Sequence, residues 1–598
     1  MNIEIRNQKF YIGERPCKLV SGAMHYFRVP RSHWRDRLLK LAEMGCNCVE
    51  TYCAWNLHEP REGVLDFSGN LDLGEYLDLA KELGLYAVVR PGPYMCAEWD
   101  MGGLPWWLLA YDGMQLRSSD PLYLQKTERY LSAVCDVLRP RLLSAGGNVI
   151  MLQLENEYGG YGNDRDYLLW LKRFYEERGL DCLFVTSDSE FDLLTHNGTL
   201  PGVCGMVNCA ADVEECWNLS AGLRGNVPPA VMEFWTGGRT FFQKEGQNDL
   251  ERSANALREA LDFTEFLNIF KSHGGTSFGF NGGSCRDYRK RRMDYYRPSY
   301  DCYSPLDQFG RRTEKYYRFR EIICRARGVS VGNTAEDAAL HSLGAIEFLS
   351  AAPLASCREI LDRHESVGLY PMEKYGQGYG YILYETSAFV GKDGVMLVLP
   401  QVHDSAHIYV DGEYLASVER DRERELRIGG GPRTVRLSIF VENRGRIKFG
   451  PGIRDPKGLV GDLYFYDLSY GIYSKLFHFD VFTLEFDKLP ALTSAPVRTR
   501  HPALYFYRFR TEGAADALLE LRGFTRGVVL VNGHNLGRYE NGCLAEDVRL
   551  YLPRDFVRKG ENHLLVFDVL ANRKKKTVSF LEEETCESVR GENEGNFS

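Results

Sequence analysis

Features of membrane-bound and nucleic-acid-binding proteins are largely missing from this sequence. Its 598 residues contain no apolar stretch of about 18 residues, the length that a membrane helix needs. The start, MNIEIRNQKFYIGERP, has no basic segment followed by an apolar one. The net charge is −9 and the pI is about 5.9. We therefore expect no secretion signal and no membrane span, and neither nucleic acid nor an anionic membrane as the main partner.

The motifs of nucleotide and zinc sites are missing as well. No GxGxxG follows the first predicted strand, and GxxxxGK[ST] does not occur. The 16 cysteines are scattered, and no CxxC pairs with a second CxxC or with a histidine cluster. The lone histidines His25 and His58 are expected to be structural rather than metal ligands. We predict no metal and no cofactor, and the many thiols without a leader favour a cytoplasmic location.

The composition is that of a chain with a large buried core. Hydrophobic residues make up 44% and charged residues 26%, as in soluble globular proteins, and the length predicts more than one domain. Aromatic residues make up 13%. Carbohydrate sites and all-β domains are both rich in such rings, so composition alone leaves the function open.

The first 325 residues alternate short apolar runs with longer amphipathic stretches, which is typical of βα units. One helix is predicted over 32–45, with Ser32 as its N-cap and Gly45 at its end. Further helices are predicted over 72–84, 121–145, 163–179 and 249–273. Eight strands are predicted over 19–27, 48–52, 86–94, 149–158, 183–189, 203–208, 230–235 and 275–281. This alternation predicts an N-terminal (β/α)8 TIM barrel over residues 1–325.

The remainder of the chain consists of short β-type runs between glycine, asparagine and aspartate turns. Asp411-Gly412 and Asn532-Gly533 lie between apolar runs and predict hairpin turns. The fold class is therefore α/β plus all-β, with two β-sandwich or jelly-roll domains after the barrel. We predict a β-sandwich over 326–480, a jelly roll over 481–585 and a disordered acidic tail over 586–598.

Carboxylates and aromatic rings crowd the carboxyl ends of the predicted barrel strands, where TIM barrels carry their chemistry. These residues are Tyr52, Asn56, Arg90, Tyr94, Glu98, Glu155, Asn156, Glu157, Glu233, Trp235 and Asn281. Cleavage of a glycosidic bond needs two carboxyls, one to protonate the departing oxygen and one to attack or stabilise the anomeric carbon. A glutamate at a strand end can equally close the barrel rim with a salt bridge. Strand alternation places Glu155 and Glu157 on one face and does not choose between them.

Several long motifs occur in series along the chain, among them GAMHYFRVPRSHWRDRLLKLAEMGCNCVETYCAWNLHEP, VVRPGPYMCAEWDMGGLPWWLL, LQLENEYG, MEFWTGG, HGGTSFGF, VENRGRIKFGPGIRDPKGLVGD and RGVVLVNGHNLGRY. With these motifs the chain closely resembles glycoside hydrolase family 35 over nearly its whole length. Most members of that family are β-galactosidases. In length and layout the chain is similar to a branch of leaderless bacterial enzymes that prefer short β-1,3-linked galactosides.

The resemblance implies a role for each matching residue. Glu157, the second glutamate of ENE, matches the acid/base, and Glu233 of MEF matches the nucleophile. The positions that match contacts to the non-reducing galactose are Tyr52, Cys96, Ala97, Glu98, Asn156 and Phe280. Since alternation would turn Asn156 away from Glu157, we expect an irregular strand end. A retaining mechanism then requires carboxyls about 5–5.5 Å apart, with the charge of Glu233 raising the pKa of Glu157, and it needs no cofactor.

Three positions depart from the family pattern. Gly238, followed by Arg239, stands where the family often has a tryptophan, Phe280 stands where it has a tyrosine, and Cys302 replaces another tyrosine. A basic insertion, Arg286–Arg292, lies nearby. One hypothesis is that Arg239 or an arginine of the insertion recognises an anionic or decorated sugar. The alternative is a solvated loop, with Tyr303 filling the space of the missing ring.

Three functions remain open at this point. The first is an exo-β-galactosidase that acts on short oligosaccharides or glycosides. The second is a relative with another sugar preference, such as a β-glucosaminidase, glucosidase, uronidase or transglycosylase. The third is a non-catalytic carbohydrate-binding protein, although keeping both Glu157 and Glu233 argues against it. The oligomeric state is open too, a homodimer included.

Overall fold

A closed barrel of eight parallel strands forms the N-terminal part of the molecule, which confirms the predicted TIM barrel. The computed structural model describes residues 2–244, 249–301, 303–337, 339–422, 424–484, 486, 490–543 and 548–581. The barrel strands, labelled β1 to β8 in chain order, are Leu19–Met24, Cys48–Tyr52, Tyr86–Arg90, Val149–Gln153, Leu183–Ser189, Cys204–Cys209, Ala230–Trp235 and Phe266–His273. Most of their residues are buried, as is usual for strands covered on both faces. A three-stranded sheet precedes the barrel, made of Ile3–Arg6, Lys9–Ile12 and Arg15–Pro16.

Helices connect the strands and pack on the outside of the barrel. Labelled α1 to α8, they are Trp34–Glu43, Leu73–Glu82, Pro121–Leu138, Arg165–Glu177, Asp192–Gly198, Val213–Arg224, Leu250–Phe263 and Glu314–Arg327, with one extra turn at Trp55–His58. Five of them begin after a side chain that accepts a backbone hydrogen bond from the first turn, at Asp72, Asp120, Asp164, Asp249 and Thr313. Ser32 is not the N-cap of α1, because its hydroxyl donates to Asp555 of the β half instead.

The eighth strand is not where the sequence pattern predicted it. The predicted helix over 249–273 ends as α7 at Phe263, and β8 follows almost at once as Phe266–His273. The predicted strand over 275–281 is a loop, with Gly275 and Gly279 in the left-handed region at φ 69° and 67°. A fully buried parallel strand shows no alternation, so an apolar run that follows a helix directly cannot be separated from it by periodicity.

The chain after the barrel is all-β, as predicted. A short hairpin, Ser284–Asp287 with Arg292–Tyr295, leads into it. A six-stranded antiparallel sheet contains, in spatial order, Leu361–Ser366, Phe479–Leu484, Tyr381–Val390, Arg433–Glu442, Ser405–Val410 and Glu413–Glu419. Smaller sheets beside it contain Glu425–Ile428, Val395–Val398, Tyr464–Asp467 and Tyr473–Lys475, and Gln401–His403 with Gly458–Val460.

The last sheets cross the predicted domain boundaries. A five-stranded sheet runs in the order Ile346–Pro353, Ala503–Thr511, Gly560–Asp568, Arg526–Val531 and His534–Glu540, and a three-stranded sheet contains Arg549–Leu552, Ala517–Arg522 and Thr577–Phe580. The strand Ile346–Pro353 thus belongs with the C-terminal strands and not with the range 326–480 in which it was placed. A domain boundary drawn at one residue number cannot assign an early strand to a sheet whose other strands come much later in the sequence. The predicted tail over 586–598 lies outside the described residues.

Two local predictions in the β half are confirmed. Asp411 and Gly412 both have positive φ, 52° and 77°, between strands that pair as a hairpin. Asn532 and Gly533 also have positive φ, 51° and 88°, and lie between strands that pair as a hairpin. Positive φ at both central residues is the requirement of a type I′ turn. Within the part of the chain that the structure describes, none of the helices has the length and apolar character needed to span a bilayer.

A segment that follows strand Arg433–Glu442 connects the β half with the barrel mouth. Arg446 is fully buried there, and its guanidinium contacts Asp100 of the barrel at 3.1 Å and Glu373 of the β half. Two residues later, Lys448 reaches into the barrel mouth. The β half therefore contributes to the wall of the site and is more than an appended support.

Candidate active site

A cavity of about 540 Å³ opens at the carboxyl ends of the barrel strands. Its wall combines residues from the loops after β3, β4 and β7, from β8 and from the β half. The charged and thiol side chains that line it include Cys96, Glu98, Glu157, Glu233, Lys271 and Lys448. The site therefore lies where a TIM barrel is expected to carry its chemistry.

Glu233, in β7, is surrounded by hydrogen-bond donors. Its Oε1 accepts from the Tyr52 hydroxyl at 2.9 Å and from Arg90 Nη2 at 2.7 Å. Its Oε2 accepts from Trp235 Nε1 at 3.0 Å. The side chain is only 6% exposed, so these three donors replace water around the carboxylate. Hydrogen bonds from donors to a carboxylate favour its ionised form.

Glu157 lies opposite, with much poorer support for a negative charge. Asn208 Nδ2, from β6, donates to its Oε1 at 3.2 Å, and Asn208 is also the neighbour of Glu233 in the parallel ladder between β6 and β7. Burial raises the pKa of Glu157, and the charge of Glu233 raises it further. The expected raised pKa is therefore present, with burial as its main cause.

The backbone after β4 is irregular, as the conflict at Asn156 predicted. Glu155 and Glu157 both have left-handed φ, 57° and 45°, which breaks the alternation of the strand. Asn156 can then accept from the Tyr52 hydroxyl at 3.0 Å, on the same side as Glu233. Gly159 fixes the turn, because a Cβ there would lie 1.8 Å from the Leu194 carbonyl oxygen. Such conformations cost on the order of 1–3 kcal/mol each and are often found at functional sites.

Glu155 is excluded from the cavity by its own partners. Arg117 donates to it through Nε at 3.2 Å and Nη2 at 2.8 Å, and the Tyr167 hydroxyl donates at 2.8 Å. Glu155 and Arg117 are both fully buried. The choice that strand alternation left open is thus settled by packing: Glu155 closes the barrel rim, and Glu157 faces the cavity.

The run Cys96, Ala97 and Glu98 forms a tight loop at the cavity wall. All three residues have left-handed φ, at 60°, 49° and 54°. The carboxylate of Glu98 accepts from the Tyr300 hydroxyl and, at 2.9 Å, from Lys448 Nζ. Burial alone would raise the pKa of Glu98, yet the charges of Lys448, Lys271 and Arg239 hold it well below its ordinary value. These charges therefore favour the ionised form of Glu98.

Two cavity residues, Lys448 and Lys271, were not predicted from the sequence. Lys448 lies in the β half and contacts Cys96 Sγ at 3.1 Å as well as Glu98. It belongs to the motif VENRGRIKFGPGIRDPKGLVGD, which signalled the family resemblance but no role. Lys271 points into the cavity from β8, the strand that the sequence pattern misread as helix. A correct assignment of that strand would have placed Lys271 at its carboxyl end.

Several other mouth residues have structural roles beside the cavity. Asn56 accepts from Trp99 Nε1 at 2.9 Å and donates to the Tyr379 hydroxyl at 2.9 Å and to Asn281 at 3.3 Å. Tyr94 donates to the carbonyl oxygen of Lys448 at 2.7 Å. The two lone histidines also have local partners, His25 with Arg28 at 2.6 Å and His58 with the Tyr26 hydroxyl.

The structure places Phe280 away from the cavity, which corrects its prediction as a sugar contact. Its ring packs against Tyr379, Tyr381 and Phe486 at the junction with the β half. The loop that carries it is the one mistaken for a barrel strand. Cys302 lies outside the described residues, and Tyr303 is not part of the cavity wall.

The basic insertion also turns away from the cavity. It forms the tip of the hairpin between Ser284–Asp287 and Arg292–Tyr295, and Arg286 Nη2 contacts both carboxylate oxygens of Asp421, in the β half, at 3.0 Å. Of the two arginine sources that the sequence offered for contact with substrate, only Arg239 lines the cavity.

Comparison with known proteins gives a consistent result over most of the chain. Residues 9–326 match Glycosyl hydrolases family 35. Residues 370–476 match the first all-β domain of β-galactosidase, and residues 502–562 match its galactose-binding domain.

Relatives with similarity over most of both chains come from distant organisms. The chain is 32% identical to β-galactosidase-1-like protein 2 of Homo sapiens, with 95% of this chain and 90% of the relative covered. It is 35% identical to a β-galactosidase of Xanthomonas manihotis, with coverages of 90% and 89%. It is 33% identical to a β-galactosidase of Bos taurus, with coverages of 90% and 86%.

Proposed function

Because the chain belongs to glycosyl hydrolase family 35, we propose that it is a retaining exo-β-galactosidase, with Glu233 as nucleophile and Glu157 as acid/base. Its substrates would be short oligosaccharides or glycosides with terminal β-D-galactose. The relatives that carry the name β-galactosidase favour galactose as the sugar that is released. The observation that carries the mechanism is the unequal surroundings of the two cavity carboxyls.

Glu233 is suited to attack. Its carboxylate has donors on both oxygens, from Tyr52, Arg90 and Trp235, so it is held in a fixed orientation. An ionised, positioned carboxylate is what the first displacement at the anomeric carbon needs.

Glu157 is suited to hold a proton. Burial and the nearby charge of Glu233 both raise its pKa, so it can protonate the departing oxygen near neutral pH. When Glu233 becomes an ester to the sugar, its charge disappears and the pKa of Glu157 falls. Glu157 can then accept a proton from water as that water attacks the intermediate.

The proposal is tested with Glu233→Gln and 4-nitrophenyl β-D-galactoside. Loss of the nucleophile is expected to reduce kcat by about 10⁴-fold or more, with the fold unchanged. Glu177→Gln, at an exposed position in α4, is the matched control and should keep full activity. Proton NMR of the reaction of the native protein should show β-galactose as the first product.

Two results would contradict this mechanism. The first is α-galactose as the initial product, since that would mean inversion. The second is near-normal turnover by Glu233→Gln, since a nucleophile cannot be replaced by an amide. A chain that binds galactosides and cleaves none would be a binding protein instead.

A further inference from the structure

The corner of the cavity around Glu98 carries more positive charge than Glu98 neutralises. Lys448, Lys271 and Arg239 all act on this one carboxylate, and all of them line the cavity. Three cations against one carboxylate leave an excess of two positive charges. Of the other cavity carboxyls, Glu233 is paired with Arg90 at 2.7 Å and Glu157 has a raised pKa. The third, Asp249, accepts from the backbone N–H of Arg252 and caps α7.

Lys271 is buried without a carboxylate of its own. It is 7% exposed, and among the described residues its ammonium has no ion pair within 4.0 Å. Its nearest support is the ring of Tyr300, whose centroid lies 3.1 Å from Nζ. A cation–π contact recovers only part of the cost of removing an ammonium group from water. Lys271 is thus a buried cation that points into an open cavity.

Arg239 gives the same wall a second cation with an open face. It follows Gly237 and Gly238, which have no side chains to cover it, and it is exposed at the cavity surface. Tyr296 and Glu98 raise its pKa. No ion pair of Arg239 is found within the described ranges. Its guanidinium lies beside Tyr296 and can bind a carboxylate or phosphate through two parallel hydrogen bonds.

We propose that the sugar bound in this cavity carries an acidic substituent, a carboxylate or a phosphate, which Lys271 and Arg239 bind. This inference rests on the proposed function, since it concerns the sugar that Glu233 and Glu157 act on. An acidic group would complete the charge of the corner and give Lys271 its missing partner. The basic hairpin is not part of the proposed site, because none of its residues lines the cavity.

Three 4-nitrophenyl glycosides of the same configuration test the proposal: β-D-galactoside, β-D-galacturonide and 6-phospho-β-D-galactoside. The native protein is expected to prefer one of the acidic substrates by about tenfold or more in kcat/KM, and the preferred one identifies the group as carboxylate or phosphate. The loss of one charged contact corresponds to about 10- to 100-fold. Arg239→Gln and Lys271→Met should each lower kcat/KM on the acidic substrate by that factor more than on the neutral one.

Arg289→Gln, in the exposed tip of the basic hairpin, removes the same charge from the surface and should leave all three substrates unaffected. Higher ionic strength should reduce the preference for the acidic substrate. The inference is overturned if the neutral galactoside is the best substrate and Arg239→Gln alters all three equally or not at all. Because Arg239 is exposed, failure to fold is not expected to obscure that result.

A binding measurement separates this inference from the proposed function. Calorimetry on Glu233→Gln compares free galactose, galacturonate and galactose 6-phosphate, without any need for turnover. If an acidic sugar binds and Arg239→Gln weakens it, the inference stands even where no glycoside is cleaved. If galactoside is hydrolysed but neither acidic sugar binds more tightly than galactose, the inference fails and the proposed function remains.

Discussion

Glu155 and Glu157 leave the same strand two residues apart and end in opposite surroundings. Glu155 has a bidentate arginine and a tyrosine hydroxyl and is fully buried. Glu157 has one amide donor at 3.2 Å and a second carboxyl nearby. Of two chemically identical groups, the one with a complete set of partners stabilises the barrel. The one with an incomplete set has a raised pKa and is the acid/base of the proposed mechanism.

The same contrast extends to the cations. Arg117 binds Glu155 through Nε and Nη2, and Nη2 also donates to the carbonyl oxygen of Asn156 at 2.7 Å. Lys271 and Arg239, on the cavity side, have no such partner among the residues described. The ion pair between Arg117 and Glu155 stabilises the barrel. Lys271 and Arg239 line the cavity instead, where the proposed ligand would supply the negative charge.

The largest loss of stability is expected when the ion pair between Arg117 and Glu155 is broken. Arg117→Met would leave Glu155 buried with only the Tyr167 hydroxyl and the Asn156 backbone N–H as donors, at a cost of about 3–5 kcal/mol in the free energy of unfolding. Urea unfolding measures it. The double variant Arg117→Met/Glu155→Gln removes the uncompensated charge as well and should recover much of the loss.

Glu157→Gln is the matched change at the glutamate that faces the cavity. It should leave the free energy of unfolding unchanged or increase it, because a poorly supported charge is removed. Equal destabilisation by Glu157→Gln and Arg117→Met would break the comparison, since both glutamates would then be structural.

The sequence predicted the barrel, the two hairpin turns and the residues at the strand ends because each depends on local pattern. It could not choose between Glu155 and Glu157, because that choice depends on Arg117 and Tyr167, which approach from other segments. It misplaced the eighth strand, and with it Phe280, because a buried parallel strand lacks the alternation that distinguishes it from a helix.

Contacts between segments that are distant in the sequence account for the other features that the sequence did not predict. Lys448 lies 350 residues from Glu98 along the chain, and no periodicity relates the two. The strand Ile346–Pro353 likewise pairs with Ala503–Thr511, although the strands of the six-stranded sheet lie between them in the sequence. Such pairings follow from how complete domains pack together, and a single sequence gives no local sign of them.

An intermediate effect is expected at Lys448, which links the two halves of the molecule. Lys448→Met removes one donor from Glu98, but Lys271 and Arg239 still act on that carboxylate. The loss in the free energy of unfolding should therefore be about 2 kcal/mol, smaller than for Arg117→Met. KM should rise too, because the Cys96 to Glu98 loop loses its support from the β half. A stability loss as large as that of Arg117→Met would mean that Lys271 and Arg239 do not compensate Glu98.

The smallest expected effect is a change with pH in the stability difference between Glu157→Gln and the native protein. The pKa of Glu157 in the folded protein is raised above its ordinary value of 4.5 by burial and by Glu233. The folded state therefore holds this proton more tightly than the unfolded state, so the contribution to stability is full below about pH 4.5 and is lost as the pH rises through the raised pKa. Glutamine cannot ionise, so Glu157→Gln should match the native protein in acid and become the more stable of the two as the pH rises. Urea unfolding of both proteins at several pH values measures this difference. A difference that does not change with pH would mean that Glu157 has an ordinary pKa and is no better suited to hold a proton than an exposed glutamate.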